Sequence, residues 1–108
     1  MTQPAHPAIF DGHNDVLLKL YRAGGVSAAA SFLTGCPGAI DVPSAKEGGF
    51  AGGFFAVYVP SPTDLALKFE EMTKPEYQLV LPDPIAWQDA FPVVMAQSAI
   101  LFEMERLG

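Results

Sequence analysis

Hydrophobic residues along the chain fall into blocks of two different periods. Ala8 to Phe10 is a short apolar run closed by Asp11-Gly12, the way a brief buried strand enters a loop, and the strand is expected to end near His13. From Asp15 the period changes. Val16, Leu17, Leu20 and Tyr21 share one side of a helix, Lys19 and Arg22 fall off it, and Gly24-Gly25 stops it. The segment VSAAASFLTG permits helix but is weakly patterned. DVPSAKEGG predicts a single helical turn, with Asp41 as N-cap and Pro43 in the first turn, where its missing N–H costs nothing. Gly48-Gly49 terminates it. The block Phe54 to Val59 is nearly continuously apolar, which suits a parallel strand covered on both faces.

Residues 60–84 hold five prolines and mixed polarity, so they read as a surface excursion with a short helix over Leu65 to Met72. A long helix then runs to Gly108, with Asp83 as cap and Pro84 at its first position. Pro92 either kinks it or marks its start. Trp87, Phe91, Val94, Met95, Ala99 and Phe102 form the expected inner face, while Gln88, Asp89, Gln97, Glu103 and Arg106 fall outside. The order strand, helix, irregular segment, strand, excursion, helix is an α/β beginning, because parallel strands need helical crossovers. Two parallel strands leave edges unpaired and faces bare, so pairing with a second copy or a complementary chain is one expectation.

Composition narrows the classes. A chain of 108 residues is one small domain, and 50% hydrophobic with only 17% charged residues is globular and greasy for that size. The net charge of −6 and the scattered basic residues exclude a nucleic-acid footprint. Cys36 is the only cysteine, so no intrachain disulfide forms and no zinc-ligand pattern surrounds it. The N-terminus lacks a leader pattern, and no apolar run approaches the roughly 18 residues of a membrane span. A cytoplasmic protein without a membrane partner is expected.

The candidate chemistry sits in "DGHNDVLLKL", residues 11–20. On extended chain, side chains at i and i+2 point to the same side, so His13 and Asp15 could converge on one cation, and both are good zinc ligands. The competing reading makes Asp15 the cap of the helix from Val16, with Asn14 favouring the turn. The spacing leaves both open. The glycines of "EGGFAGGFF" precede a strand, unlike a phosphate loop, and are explained by tight turning and close packing. His6 lies in a proline-flanked tail and Cys36 lacks an activating base, so neither is assigned a role. Tyr58, near the end of the second strand, has a hydroxyl that could reach the mouth where His13 lies; the alternative is a buried aromatic with a wet tip.

"FDGHNDVLLKLY" followed by "IDVPSAKEGGFAGGFFAVYVPSP" resembles the opening of the membrane (renal) dipeptidase family of zinc peptidases, bacterial members especially. "FPVVMAQSAILFEMERLG" is similar to the helix that follows there. The resemblance covers nearly the whole chain from Ala8 and implies the N-terminal part of a (β/α)8 TIM barrel of the metal-dependent amidohydrolase type. It also implies a two-zinc centre in which His13 and Asp15 match ligands of one ion. The bridging glutamate and two further histidines come from later strands of the family's barrel. Ser44 in "DVPS" stands where the family usually carries arginine. The implied activity is dipeptide hydrolysis by a hydroxide bridging two zinc ions, with the 108-residue chain by itself a fragment and inactive. Many other amidohydrolases carry His-x-His after strand one, so Asp15 and the "GGFFAVYVP" block favour the dipeptidase over another metal-dependent hydrolase.

Overall fold

The computed structural model describes residues 7–38, 40–61 and 65–108, the side chains at 65–67 excepted. His6 lies outside the described residues. Strand β1 (Ile9–Asn14) leads into α1 (Val16–Ala23), a 3-10 turn (Gly25–Ala28), α2 (Ala29–Thr34) and α3 (Val42–Glu47). Strand β2 (Phe50–Phe55), α4 (Leu65–Met72) and α5 (Trp87–Leu107) follow. The two strands pair in parallel, so the α/β class holds.

Local signals act where they were expected. Val16, Leu17 and Leu20 of α1 are buried, and Gly24, at a φ of 138° that favours glycine, sends its N–H back to Leu20 and Tyr21 carbonyls. The weakly patterned segment after it becomes the 3-10 turn and α2. Asp41 caps α3: Oδ1 accepts the Ser44 N–H at 2.8 Å, while Oδ2 accepts the Cys36 N–H at 3.1 Å. One carboxylate thus ties the N-terminus of α3 to the start of the loop that follows α2.

These two backbone bonds, with help from the Ser44 hydroxyl and a smaller pull from Lys19, hold the Asp41 carboxyl below its ordinary value against the opposing effect of burial. The unfolded carboxyl titrates near ~3.9. Stabilisation from Asp41 is therefore present above that value and disappears as pH falls through the lowered folded one. Asp41→Asn is expected to lower the melting temperature at neutral pH by a few degrees and to flatten the acid limb below about pH 4. Circular dichroism melts of both proteins check this. The comparison separates Asp41 from Glu103, whose carboxyl is also lowered by its bond to Arg106.

The strands depart from the hydrophobic pattern. Strand β1 continues past His13 to Asn14, and β2 begins and ends four residues earlier than the greasiest run. The register pairs Ile9 with Phe50, Phe10 with Gly52, Asp11 with Gly53 and Asn14 with Phe55. Close approach decides this. A Cβ at Gly53 would stand 2.9 Å from Phe50 Cζ and 3.1 Å from Asp11 Cβ, so a run of side chains cannot replace the glycines here. Among the described residues, the sheet is covered on one face only. Phe55 turns to the helices and meets Phe32 edge-to-face at 6.2 Å, whereas Phe10 and Phe54 pair at 5.0 Å on the open face.

Helix α5 begins at Trp87 after an extended Ala86, without a side-chain cap, so Asp83 and Pro84 do not start it. The later start puts Pro92 in the second turn, where only the Gln88 carbonyl loses its N–H partner. Its buried face is also different. Gln97, Ile100 and Met104 point inward onto α1 and α2, while Trp87, Phe91, Met95, Ala99 and Phe102 are exposed and Val94 is half-buried. Hydrophobicity ranks the aromatic side higher; contact with α1, α2 and the Tyr58 backbone selects the other. The core is correspondingly thin: Val16, Leu17, Leu20, Ala29, Phe32, Ile100 and Met104. The accessible surface is 8013 Å², against about 5,800 Å² for a compact monomer of this mass.

Candidate metal centre

The end of β1 is built by its own polar residues. Asp11 Oδ1 accepts the His13 N–H at 3.1 Å and Oδ2 accepts Asn14 Nδ2 at 3.0 Å. Asn14 Oδ1 then accepts the Val16 N–H at 3.3 Å, so the side chain of Asn14 serves the first helical amide. The pairing with β2 is irregular between Asp11 and Asn14, which turns the strand end away from plain alternation.

Asp15 occupies the N-cap position of α1, at φ −111° and ψ 27°, but its side chain makes no capping bond. It faces His13 instead, with His13 Nε2 and Asp15 Oδ1 3.1 Å apart. The capping alternative is therefore not the arrangement found. Two donors each about 2.0–2.1 Å from one tetrahedral zinc stand about 3.3 Å apart, so an imidazole nitrogen and a carboxylate oxygen at this separation fit a shared ion. Both side chains are largely exposed, at 67% and 59%, so an ion reaches them without unfolding anything.

Among the described residues, no three His, Cys, Asp or Glu side chains come together as a metal group. Asp11 is occupied by His13 and Asn14, and the described residues present two donors here. Beside them opens a concavity of about 820 Å³, lined among others by Asp11, His13, Asp15, Lys19, Ser44 and Phe50.

Tyr58 follows β2 and is half exposed. The ladder continues one bond past β2, with Ala56 N–H donating to the Asn14 carbonyl at 3.0 Å, so the segment leading to Tyr58 leaves from between the two candidate ligands. Gln97 binds the Tyr58 backbone, a contact the sequence pattern does not reveal; its one signal is a polar pair, Gln97-Ser98, within a mostly apolar helical stretch. Cys36 is held by structural contacts, its sulfur 3.3 Å from Lys19 Nζ and 3.8 Å from the Ile40 carbonyl. Gly48 and Gly49 close α3 and Gly52 and Gly53 admit β1, as close packing requires.

No family model matches the chain. The solved structure of dipeptidase AC, a metallopeptidase of family M19, superposes with a TM-score of 0.80 and 46% identity over 92% of this chain. The chain is related to the M19 metallopeptidases. A second M19-like match agrees: a metallopeptidase from Rhodobacter sphaeroides, liganded with a phosphinate mimic of the dipeptide L-Ala-D-Ala, gives 0.81 and 44% over 92% of the chain. The M19-like chain spans 28% and 29% of the lengths of these two proteins. An uncharacterised protein in the PQQ-III 3' region of Acinetobacter calcoaceticus is 36% identical over 59 residues, 54% of this chain and 19% of that protein.

Proposed function

We propose that this chain is the opening segment of the (β/α)8 barrel of a zinc-dependent dipeptidase, with His13 and Asp15 holding one zinc. The observation that carries the reading is the 3.1 Å convergence of His13 Nε2 and Asp15 Oδ1 at the C-terminal end of β1. That end of a strand is where such barrels place their chemistry. Identity of 44–46% to two metallopeptidases supports the same assignment.

Each residue has a limited task. His13 and Asp15 bind metal, Asp11 and Asn14 hold the two ligands in place through backbone and side-chain bonds, and Tyr58 meets the dipeptide near the mouth. Zinc bound there supplies Lewis-acid polarisation of the scissile carbonyl and lowers the pKa of the attacking water. A second zinc needs donors beyond the pair that the described residues bring together, so the 108-residue chain by itself is expected to be inactive.

The test is a dipeptidase assay on two samples: the pure 108-residue chain with zinc, and the native gene product, recognised by mass spectrometry of its DGHNDVLLK peptide. The expected result is no turnover by the chain and zinc-dependent turnover by a native product well above 11.5 kDa. Zinc-dependent turnover by the chain alone overturns the partial-site reading. A native product of 11.5 kDa without activity favours assembly with itself or a complementary chain, which the exposed Trp87, Phe91, Met95 and Phe102 side of α5 also supports.

A further inference from the structure

Gln97 stands in the middle of α5, on a position whose pattern faces solvent, yet its side chain is fully buried. Its amide is spent on one residue. Gln97 Oε1 accepts the Tyr58 N–H at 2.9 Å, and Gln97 Nε2 donates to the Tyr58 carbonyl at 2.5 Å. An adjacent strand offers a residue the same pair of bonds, one donor and one acceptor. The helix thus lends a substitute for a strand just where the β1–β2 ladder has ended.

A buried primary amide costs free energy unless paired, and leucine or methionine would fill the space without that cost. Packing alone does not account for glutamine here. What the amide holds is the exit from β2, which leaves from the Asn14 carbonyl between His13 and Asp15. Tyr58 lies two residues further on, about 7 Å of extended chain.

We infer that Gln97 is a positioning residue, fixing the Tyr58 backbone beside the strand end that carries the His13–Asp15 pair. The clamp is independent of the dipeptidase reading; that Tyr58 meets a dipeptide rests on it.

The experiment uses the whole chain in solution, with amide exchange and manganese-induced line broadening read residue by residue by NMR. In Gln97→Met, which keeps volume but not hydrogen bonds, the Tyr58 amide is expected to lose about tenfold in protection, the order of one net hydrogen bond. In Gln97→Glu, either form of the carboxyl can accept the Tyr58 N–H, but only the protonated form can donate to the Tyr58 carbonyl. The carbon-13 shift of the Tyr58 carbonyl, read in the same spectra, should therefore move as pH rises through the pKa of the introduced group and return on acidification. A role in packing gives no such reversible dependence. Should Gln97→Met fail to fold, the pH series on one sample of Gln97→Glu decides alone. Unchanged amide protection in Gln97→Met, or a pH-independent Tyr58 carbonyl shift in Gln97→Glu, overturns the clamp. Mn²⁺ alone is expected to broaden His13, Asp15 and Tyr58 together in wild type. Broadening of His13 and Asp15 without Tyr58 overturns the placement of Tyr58. Absence of broadening at His13 and Asp15 overturns the metal reading and leaves the clamp to the exchange data.

Discussion

Replacing Ile100 by alanine is expected to destabilise the chain by about 2–5 kcal/mol, whereas Phe102→Ala should stay within about 0.5 kcal/mol of wild type. Ile100 is fully buried against α1 and α2, and Phe102, two residues on, is 68% exposed. Removing three carbons from Ile100 loses their transfer free energy and leaves a void that a thin core fills poorly. With a total stability for small domains of only about 5–15 kcal/mol, one such cavity takes a large share. Urea unfolding followed by far-ultraviolet circular dichroism measures both variants. A lower midpoint at unchanged slope for Ile100→Ala is the expected result; equal losses for the two residues would mean that α5 turns its aromatic side inward in solution.

Asp15→Ala and His13→Ala should each abolish saturable zinc binding by the chain. With two protein donors, loss of either leaves a single ligand, and one imidazole or carboxylate in water does not hold zinc against hydration. Asp11→Asn should have a smaller effect, roughly 10–100-fold in affinity. Its oxygen can still accept the His13 N–H, but its amide now faces the amide of Asn14, which must rotate and release the Val16 N–H. Isothermal titration with zinc at neutral pH measures all three. Undiminished binding in both alanine variants would show that the His13–Asp15 contact is only a hydrogen bond between neighbours.

The site and the fold were legible to different depths. The α1 stripe, the Gly24 stop and the Asp41 cap are written within four or five residues of where they act, because helices and their caps close over that range. The pair His13-x-Asp15 was visible as two donors, and the blocks "FDGHNDVLLKLY" and "IDVPSAKEGGFAGGFFAVYVPSP" carried the resemblance to metallodipeptidases that the solved structures support. Which way Asp15 faces was not visible. An aspartate before a helix caps it by default, and here Asn14 takes the amide and leaves Asp15 for His13.

The sequence by itself determined α1 and α3, their stops and the donor pair, since each depends on neighbours along the chain. The tertiary structure alone decided the register of β2 and the buried side of α5. Strand pairing chose Gly52 and Gly53 for close approach to Phe10 and Asp11, not the most apolar run. Burial chose Gln97, Ile100 and Met104 over the aromatic stripe because Gln97 finds its partners at Tyr58, 39 residues earlier. A buried polar group is settled by what it meets across space, and no local period encodes that meeting.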